Sequence, residues 1–134
     1  MDAIVDVITD LFIRTDTRDW EGVKKLFAPE VAFDMGQPAK MTPQQIVDAW
    51  KTGLAPIEQI HHQAGNFKVN VRGDEADAFC YGIAFHYRKT TSGQNTRTFV
   101  GSYEFKLRRA GSDWKITAFK FNLKFIDGNV NLEE

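Results

Sequence analysis

Cysteine occurs once in this chain, at position 80. A single thiol excludes an internal disulfide and fits a reducing compartment. Cys80 stands inside a strand-like alternation with no thiol partner, so it reads as a buried, inert side chain rather than a nucleophile. Basic runs are missing as well. Seventeen Lys and Arg against 18 Asp and Glu leave a net charge of −1. The densest cluster, Lys106-Leu107-Arg108-Arg109, fits the polar end of a strand, so a nucleic-acid footprint is not supported. No apolar run approaches the ~20 residues of a membrane span. The first residues, Met1-Asp2-Ala3-Ile4-Val5-Asp6, carry acids where a signal peptide needs Lys or Arg. These absences lead us to expect a cytoplasmic protein without nucleic-acid or membrane partners. Histidine is scarce too, with three residues, so the place of each carries weight.

Aromatic residues are plentiful: eleven Phe, three Trp and three Tyr in 134 residues. They bury large areas and suit a big core or an apolar cavity. The length fits one domain, residues 1–134, with no internal repeat and no low-complexity segment.

The hydrophobic period is helical at first. Ile4, Val5, Ile8, Leu11 and Phe12 predict an amphipathic helix over residues 2–14. Residues 15–19 are polar and break it. Trp20, Val23, Leu26 and Phe27 predict a short second helix that stops before Pro29. Val31–Asp34 reads as a short strand and Gly36-Gln37-Pro38 as a loop. Thr42, Pro43 and Gln45 form a capping-box start for a third helix, with Ile46, Val47, Trp50 and Leu54 on its core stripe. Gly53 and Pro56 mark its end.

From His61 the period becomes two. Phe67, Val69 and Val71 alternate up to a Gly73-Asp74 turn. Residues 75–89 follow with two contrasting faces. Phe79, Tyr81, Ile83, Phe85 and Tyr87 share one. Ala76, Ala78, Cys80, Gly82, Ala84 and His86 share the other, which leaves room for a ligand or a packed helix. Strands are expected at 96–108 and 113–126, with Phe119, Phe121, Leu123 and Phe125 on one face of the last. The polar tail from Asp127 to Glu134 is expected to be weakly held. Helices first and long strands after predict an α+β fold, with helices on one face of a curved sheet.

Three polar residues stand where one buried acid–base site would place them. Asp16 lies at the seam between the first two helices, His62 near the start of a strand, and His86 at the end of the next. An Asp orienting a His is the simplest device for moving a proton to or from carbon near neutral pH. Other readings coexist. Asp16 can cap the second helix, as can Thr17 or Asp19. His86 can be an ordinary strand-end residue. Two His and an Asp can ligate a metal. Asn66, Tyr103, Lys120 and Asn122 are further polar candidates, and Trp50 and Phe33 candidates for pocket wall or core.

These residues also carry a resemblance. Arg18-Asp19-Trp20, Leu26-Phe27-Ala28-Pro29, Val31-Ala32-Phe33-Asp34, His62-Gln63-Ala64-Gly65-Asn66, Gly73-Asp74-Glu75-Ala76 and Trp114-Lys115-Ile116 resemble the SnoaL-like branch of the NTF2-like superfamily over nearly the whole chain. The resemblance implies a cone of three N-terminal helices packed on a curved antiparallel or mixed sheet. Asp16, His62 and His86 resemble the site of scytalone dehydratase-like enzymes, and the bile-acid dehydratases of this fold share the first two places. Thr15 and Met35 stand where the scytalone enzymes have water-holding tyrosines, which argues against scytalone itself as substrate.

The expectation is thus a cofactor-independent dehydratase or isomerase, needing no metal. It would act on a small apolar hydroxylated cyclic compound, polyketide- or steroid-like. Asp16, His62 and His86 would be catalytic, and Thr15, Phe33, Met35, Trp50, Asn66, Ala84 and Tyr103 would line the pocket. A homodimer is expected by resemblance, with a trimer as the alternative. A non-catalytic ligand-binding or dimerisation module of the same fold is the competing reading.

Overall fold

The computed structural model describes residues 2–134. They form helices α1 (Asp2–Asp16), α2 (Trp20–Lys24) and α3 (Pro43–Leu54), and strands β1 (Phe27–Asp34), β2 (Pro38–Met41), β3 (Gln59–Arg72), β4 (Glu75–Tyr87), β5 (Thr96–Ala110) and β6 (Asp113–Gly128). The strands make one sheet in the order β2-β1-β6-β5-β4-β3. All neighbours are antiparallel except β1 and β6, which run parallel. The result is the expected α+β cone, with the helices against one face of a mixed, curved sheet.

Each helix is held by local chemistry. α1 buries Ile4, Ile8, Leu11, Phe12 and Thr15, the stripe that a 3.6-residue period puts on one side. α3 begins with the full capping box: the Gln45 N–H donates to Thr42 Oγ1 at 3.2 Å, and the Thr42 N–H to Gln45 Oε1 at 2.9 Å. α2 is capped by Asp19, whose carboxylate accepts from the Gly22 N–H. Asp16 is therefore free of that duty.

α2 ends earlier than its apolar spacing suggests. Phe27 opens β1 and pairs with Ile116, and Pro29 lies within a register shift between Phe27 and Ala32. Proline has no N–H to give a ladder, so it sits where pairing is already interrupted. The loop expected at Gly36-Gln37-Pro38 is shorter than that, because Pro38 opens β2. β2 is a four-residue, largely exposed edge strand, too short to display a period.

Two bulges reset the faces of β6. Thr117 is skipped between the Lys106–Ala118 and Leu107–Ile116 pairs, so Ile116 and Phe119 both point into the core. Lys124 is skipped between the Gly101–Leu123 and Val100–Phe125 pairs. The expected single face of Phe119, Phe121, Leu123 and Phe125 thereby breaks, and Phe125 turns outward, 56% exposed.

The tail also departs from expectation. β6 runs to Gly128, and Leu132 is fully buried against Ile57 and Ile60. Arg88 donates to the Leu132 carbonyl at 3.1 Å, and Arg97 to the Val130 carbonyl at 3.3 Å. Leu132→Ala is expected to lower stability by about 2–5 kcal/mol, measured by urea unfolding. A change inside 0.5 kcal/mol would mean that the segment contributes nothing to the fold.

Candidate active site

The Asp16 carboxylate grips His62 twice. Oδ2 accepts the His62 backbone N–H at 2.8 Å, and Oδ1 lies 2.6 Å from ring Nδ1. Asp16 ends α1 and His62 lies on the neighbouring β3. A carboxylate can only accept, so Nδ1 carries a proton, and in the neutral ring Nε2 keeps its lone pair. Among the described residues Nε2 has no hydrogen-bond partner. The ring is clamped flat against Phe12, centroids 5.1 Å apart, so both its tautomer and its plane are set.

His62 faces a cavity of about 420 Å³ between α1, α3 and the sheet. Its wall includes Leu11, Phe12, Trp50, Ala84, Phe99, Phe119 and Phe121. Met35, Gly36, Ala49, Gly53 and Leu123 are exposed and form its mouth. Its polar side chains are Thr15, Trp50, His62, His86 and Tyr103, and among the described residues none that carries a fixed charge lines it. The Thr15 hydroxyl already donates to the Leu11 carbonyl at 2.7 Å.

His86 stands diagonally from His62 on the inner face, because Ala84 pairs with His62 and His86 with Ile60. It is 8% exposed. Its Nδ1 lies 3.0 Å from Arg97 Nη2. Burial first, then the Arg97 charge, lower its pKa from 6.5 to about 4. His62 acts the same way, while Glu133 and Asp16 oppose it. His86 is thus neutral at physiological pH. The unfolded chain takes up this proton as the pH falls through 6.5, whereas the folded chain refuses it until about 4. Stability is complete above that window and declines through it, by up to about 3 kcal/mol. His86→Gln is expected to flatten the fall in melting temperature between pH 7 and 4; parallel curves would refute this.

Tyr103 is 4% exposed and packs edge-on to Phe12 at 5.0 Å. Burial raises its pKa above the ordinary phenol range, so the hydroxyl stays protonated. Tyr103 lines the cavity. Its ring lies over Gly82, where a Cβ would meet Cε2 at 2.1 Å. Gly82→Ala is expected to displace the ring, lowering stability by about 1–3 kcal/mol and loosening ligands in the cavity. Unchanged stability and binding would remove the role given to this notch.

Two expected pocket residues lie elsewhere. Asn66 is exposed, with φ 56°, inside the β3 bulge between Gly65 and Lys68. Asn tolerates this left-handed backbone, which explains the residue without a ligand. Phe33 is buried one layer behind the wall, stacked on Phe119 at 5.2 Å and tilted against Trp50 at 5.9 Å. Asn122 bonds Ser102 and Glu104, away from the cavity, and Lys120 pairs across from Glu104 on that same outer side. Phe99, Phe121 and Leu123 line the cavity unforeseen, as does Leu11; their apolar character matched plain core. Cys80 is fully buried, and desolvation pushes its thiol up to about 12, which makes it inert. Among the described residues no three His, Cys, Asp or Glu converge as a metal would require. No described helix is long and apolar enough to cross a membrane.

Residues 1–120 match the model of the SnoaL-like domain. The chain belongs to that family. No curated protein matches the sequence significantly. Solved structures similar to this SnoaL-like chain include the Kfla4162 protein of Kribbella flavida, with a TM-score of 0.91 at 16% identity, covering 98% of this chain and 95% of that one. A hexachlorocyclohexane dehydrochlorinase, LinA type 2, superimposes with a TM-score of 0.82 at 15% identity, over 97% of this chain and 88% of that one. A scytalone dehydratase-like protein of Novosphingobium aromaticivorans gives 0.81 at 17%, over 96% and 87%. At such identities these likenesses establish the fold alone.

Proposed function

We propose that this SnoaL-like protein is a cofactor-independent dehydratase or isomerase acting on a small, neutral, hydroxylated cyclic ketone. The observation that carries the reading is the 2.6 Å bond between Asp16 and His62 Nδ1, with the opposite ring nitrogen turned to an apolar cavity. A binding module has no need of an oriented base, and a purely assembling subunit has no need of an open cavity.

In the proposed reaction His62 Nε2 takes a proton from the carbon next to the carbonyl. The electron pair of the C–H bond moves onto the carbonyl oxygen, where His86 Nε2–H and the Tyr103 hydroxyl hold the developing charge. The pair then returns, the C–O bond to the hydroxyl group breaks, and the departing oxygen takes the proton from the His62 imidazolium. Hydroxy ketone becomes enone and water. Returning the proton to a different carbon instead gives a double-bond shift. Asp16 beside Nδ1 stabilises the cation between the steps. The uncharged, aromatic wall excludes water and strengthens these hydrogen bonds. The names of two structural neighbours, a dehydrochlorinase and a scytalone dehydratase-like protein, support elimination as the class of chemistry.

The test is a panel of cyclic β-hydroxy ketones in D₂O, followed by ultraviolet absorbance for enone and by NMR for deuterium at the α-carbon. Elimination or exchange that saturates with substrate is expected. Binding without either would leave a ligand-binding module as the better account. The proposal includes a homodimer through the outer sheet face, where Tyr81, Phe85, Tyr87 and Phe125 are exposed; a monomer by sedimentation equilibrium would remove that part.

A further inference from the structure

Arg97 and the C-terminal segment stand behind the site without touching the cavity. Arg97 lies directly across the β4–β5 ladder from His86. It is 7% exposed. Its Nη2 reaches His86 Nδ1 at 3.0 Å, and its Nη1 reaches both the Val130 carbonyl and the Glu133 carboxylate. The guanidinium also lies over the Phe99 ring, 5.0 Å from its centroid. Phe99 in turn is tilted against the His86 ring at 5.3 Å. The guanidinium is held on one side by the tail, on another by an aromatic face, and on a third by the histidine.

A guanidinium has donors only. His86 Nδ1 facing it must therefore accept, and the proton of the neutral ring must sit on Nε2. His86 Nε2 bonds no other described residue, and His86 lines the cavity. We infer that Arg97, anchored by Glu133 and Val130, is a positioning residue that makes His86 a fixed hydrogen-bond donor to the cavity. The segment from Val130 to Glu133 thus belongs to the working site although it touches no ligand. The two histidines then have opposite roles set by opposite partners. A carboxylate behind His62 leaves a lone pair in the cavity, and a guanidinium behind His86 leaves an N–H there. In the neutral rings at the start of the reaction, one accepts and the other donates. Such a pair suits a substrate with an acidic C–H on one side and an oxygen acceptor on the other.

The groups around His86 agree with this. Arg97 from β5 and His62 from β3 disfavour its protonation, while Asp16 from α1 and Glu133 from the tail favour it. Burial is the strongest influence and also opposes the charge. Glu133 is itself held below the usual carboxylate range, first by its own backbone N–H and then by Arg97, so it remains the anion that Arg97 needs.

The functional consequence rests on the proposed reaction, but the tautomer does not, and it is measured directly. Long-range ¹H–¹⁵N correlation spectra of ¹⁵N-labelled protein distinguish protonated from unprotonated ring nitrogens, with His86 assigned by its loss in His86→Gln. The wild type is expected to show His86 protonated on Nε2 alone at pH 7. Arg97→Met is expected to mix the two tautomers and to lower kcat with little change in KM. Glu133→Gln should move the spectrum in the same direction by a smaller amount. A wild-type His86 protonated on Nδ1, or charged at pH 7, overturns the inference. So does a folded Arg97→Met protein with an unchanged His86 spectrum. Should Arg97→Met fail to fold, the wild-type tautomer and Glu133→Gln still decide. An Nε2–H tautomer in a protein that turns over no ketone would sink the proposed reaction while leaving the positioning role intact.

Discussion

His62→Ala is expected to lower turnover by about 10²–10⁴-fold, the range that a positioned general base supplies. No other described side chain in the cavity wall is free to act as a base. Among the polar side chains lining the cavity, His86 presents a proton, Tyr103 presents a protonated hydroxyl and the Thr15 hydroxyl is committed to Leu11. Trp50 has only an N–H to offer. The Asp16 carboxylate is spent on His62 itself. Water admitted to the vacated space is the remaining base, and it is a poor one. The substitution also removes the ring stacked on Phe12, so some loss of stability accompanies it. His62→Gln keeps most of the volume and can still donate toward Asp16, but offers no basic nitrogen. Equal losses in the two variants, with unchanged circular dichroism, would assign the effect to proton transfer. Activity within tenfold of wild type in either would end the case for His62 as the base.

How far the sequence alone carries the fold can be traced through single residues. Thr42, Pro43 and Gln45 announce the start of α3 because capping is local chemistry that needs no partner element. The alternation from Glu75 to Tyr87 separates the two faces of β4 correctly because β4 lies between two long neighbours with an unbroken ladder to β5. The failures occur where pairing is irregular. The β6 bulges place Phe125 outside and Asn66 sits in the β3 bulge, and neither event leaves a mark in a period-two pattern. The tail is polar in sequence, yet one buried side chain, Leu132, and two arginine bonds to carbonyls hold it.

The site was legible to a similar degree and for a similar reason. Asp16, His62 and His86 stand out as polar residues at element ends, and the structure brings Asp16 and His62 into contact. What gives His86 its role was invisible. Arg97 lies 11 residues away and Glu133 a further 36, and both look like surface charges. Only the β4–β5 register and the return of the tail bring them behind the imidazole. Phe33 lies behind Trp50 and Phe119 rather than in the wall itself, because a sequence pattern gives the face of a residue but not its depth.

Asp16→Asn provides the sharpest discrimination between an oriented base and an adventitious pair. The His62 backbone N–H, 2.8 Å from Oδ2, needs an acceptor and dictates which way an amide would turn. The Asn oxygen would take that N–H, leaving its NH₂ group facing Nδ1. Nδ1 would then have to accept, so the proton would move to Nε2 and the lone pair would leave the cavity. The side chain keeps its shape and nearly its volume, yet the base becomes a donor. The same exchange behind the histidine of a serine protease lowers kcat about 10⁴-fold, and a loss of about 10³–10⁴-fold is expected here. The ¹⁵N spectrum of His62 should invert in parallel, from Nδ1–H in the wild type to Nε2–H in the variant. Inversion with full activity would show that His62 is not the base. An uninverted spectrum with full activity would show that Asp16 does not set the tautomer. Loss of activity together with inversion is the one outcome that ties the carboxylate, the ring and the chemistry into a single device.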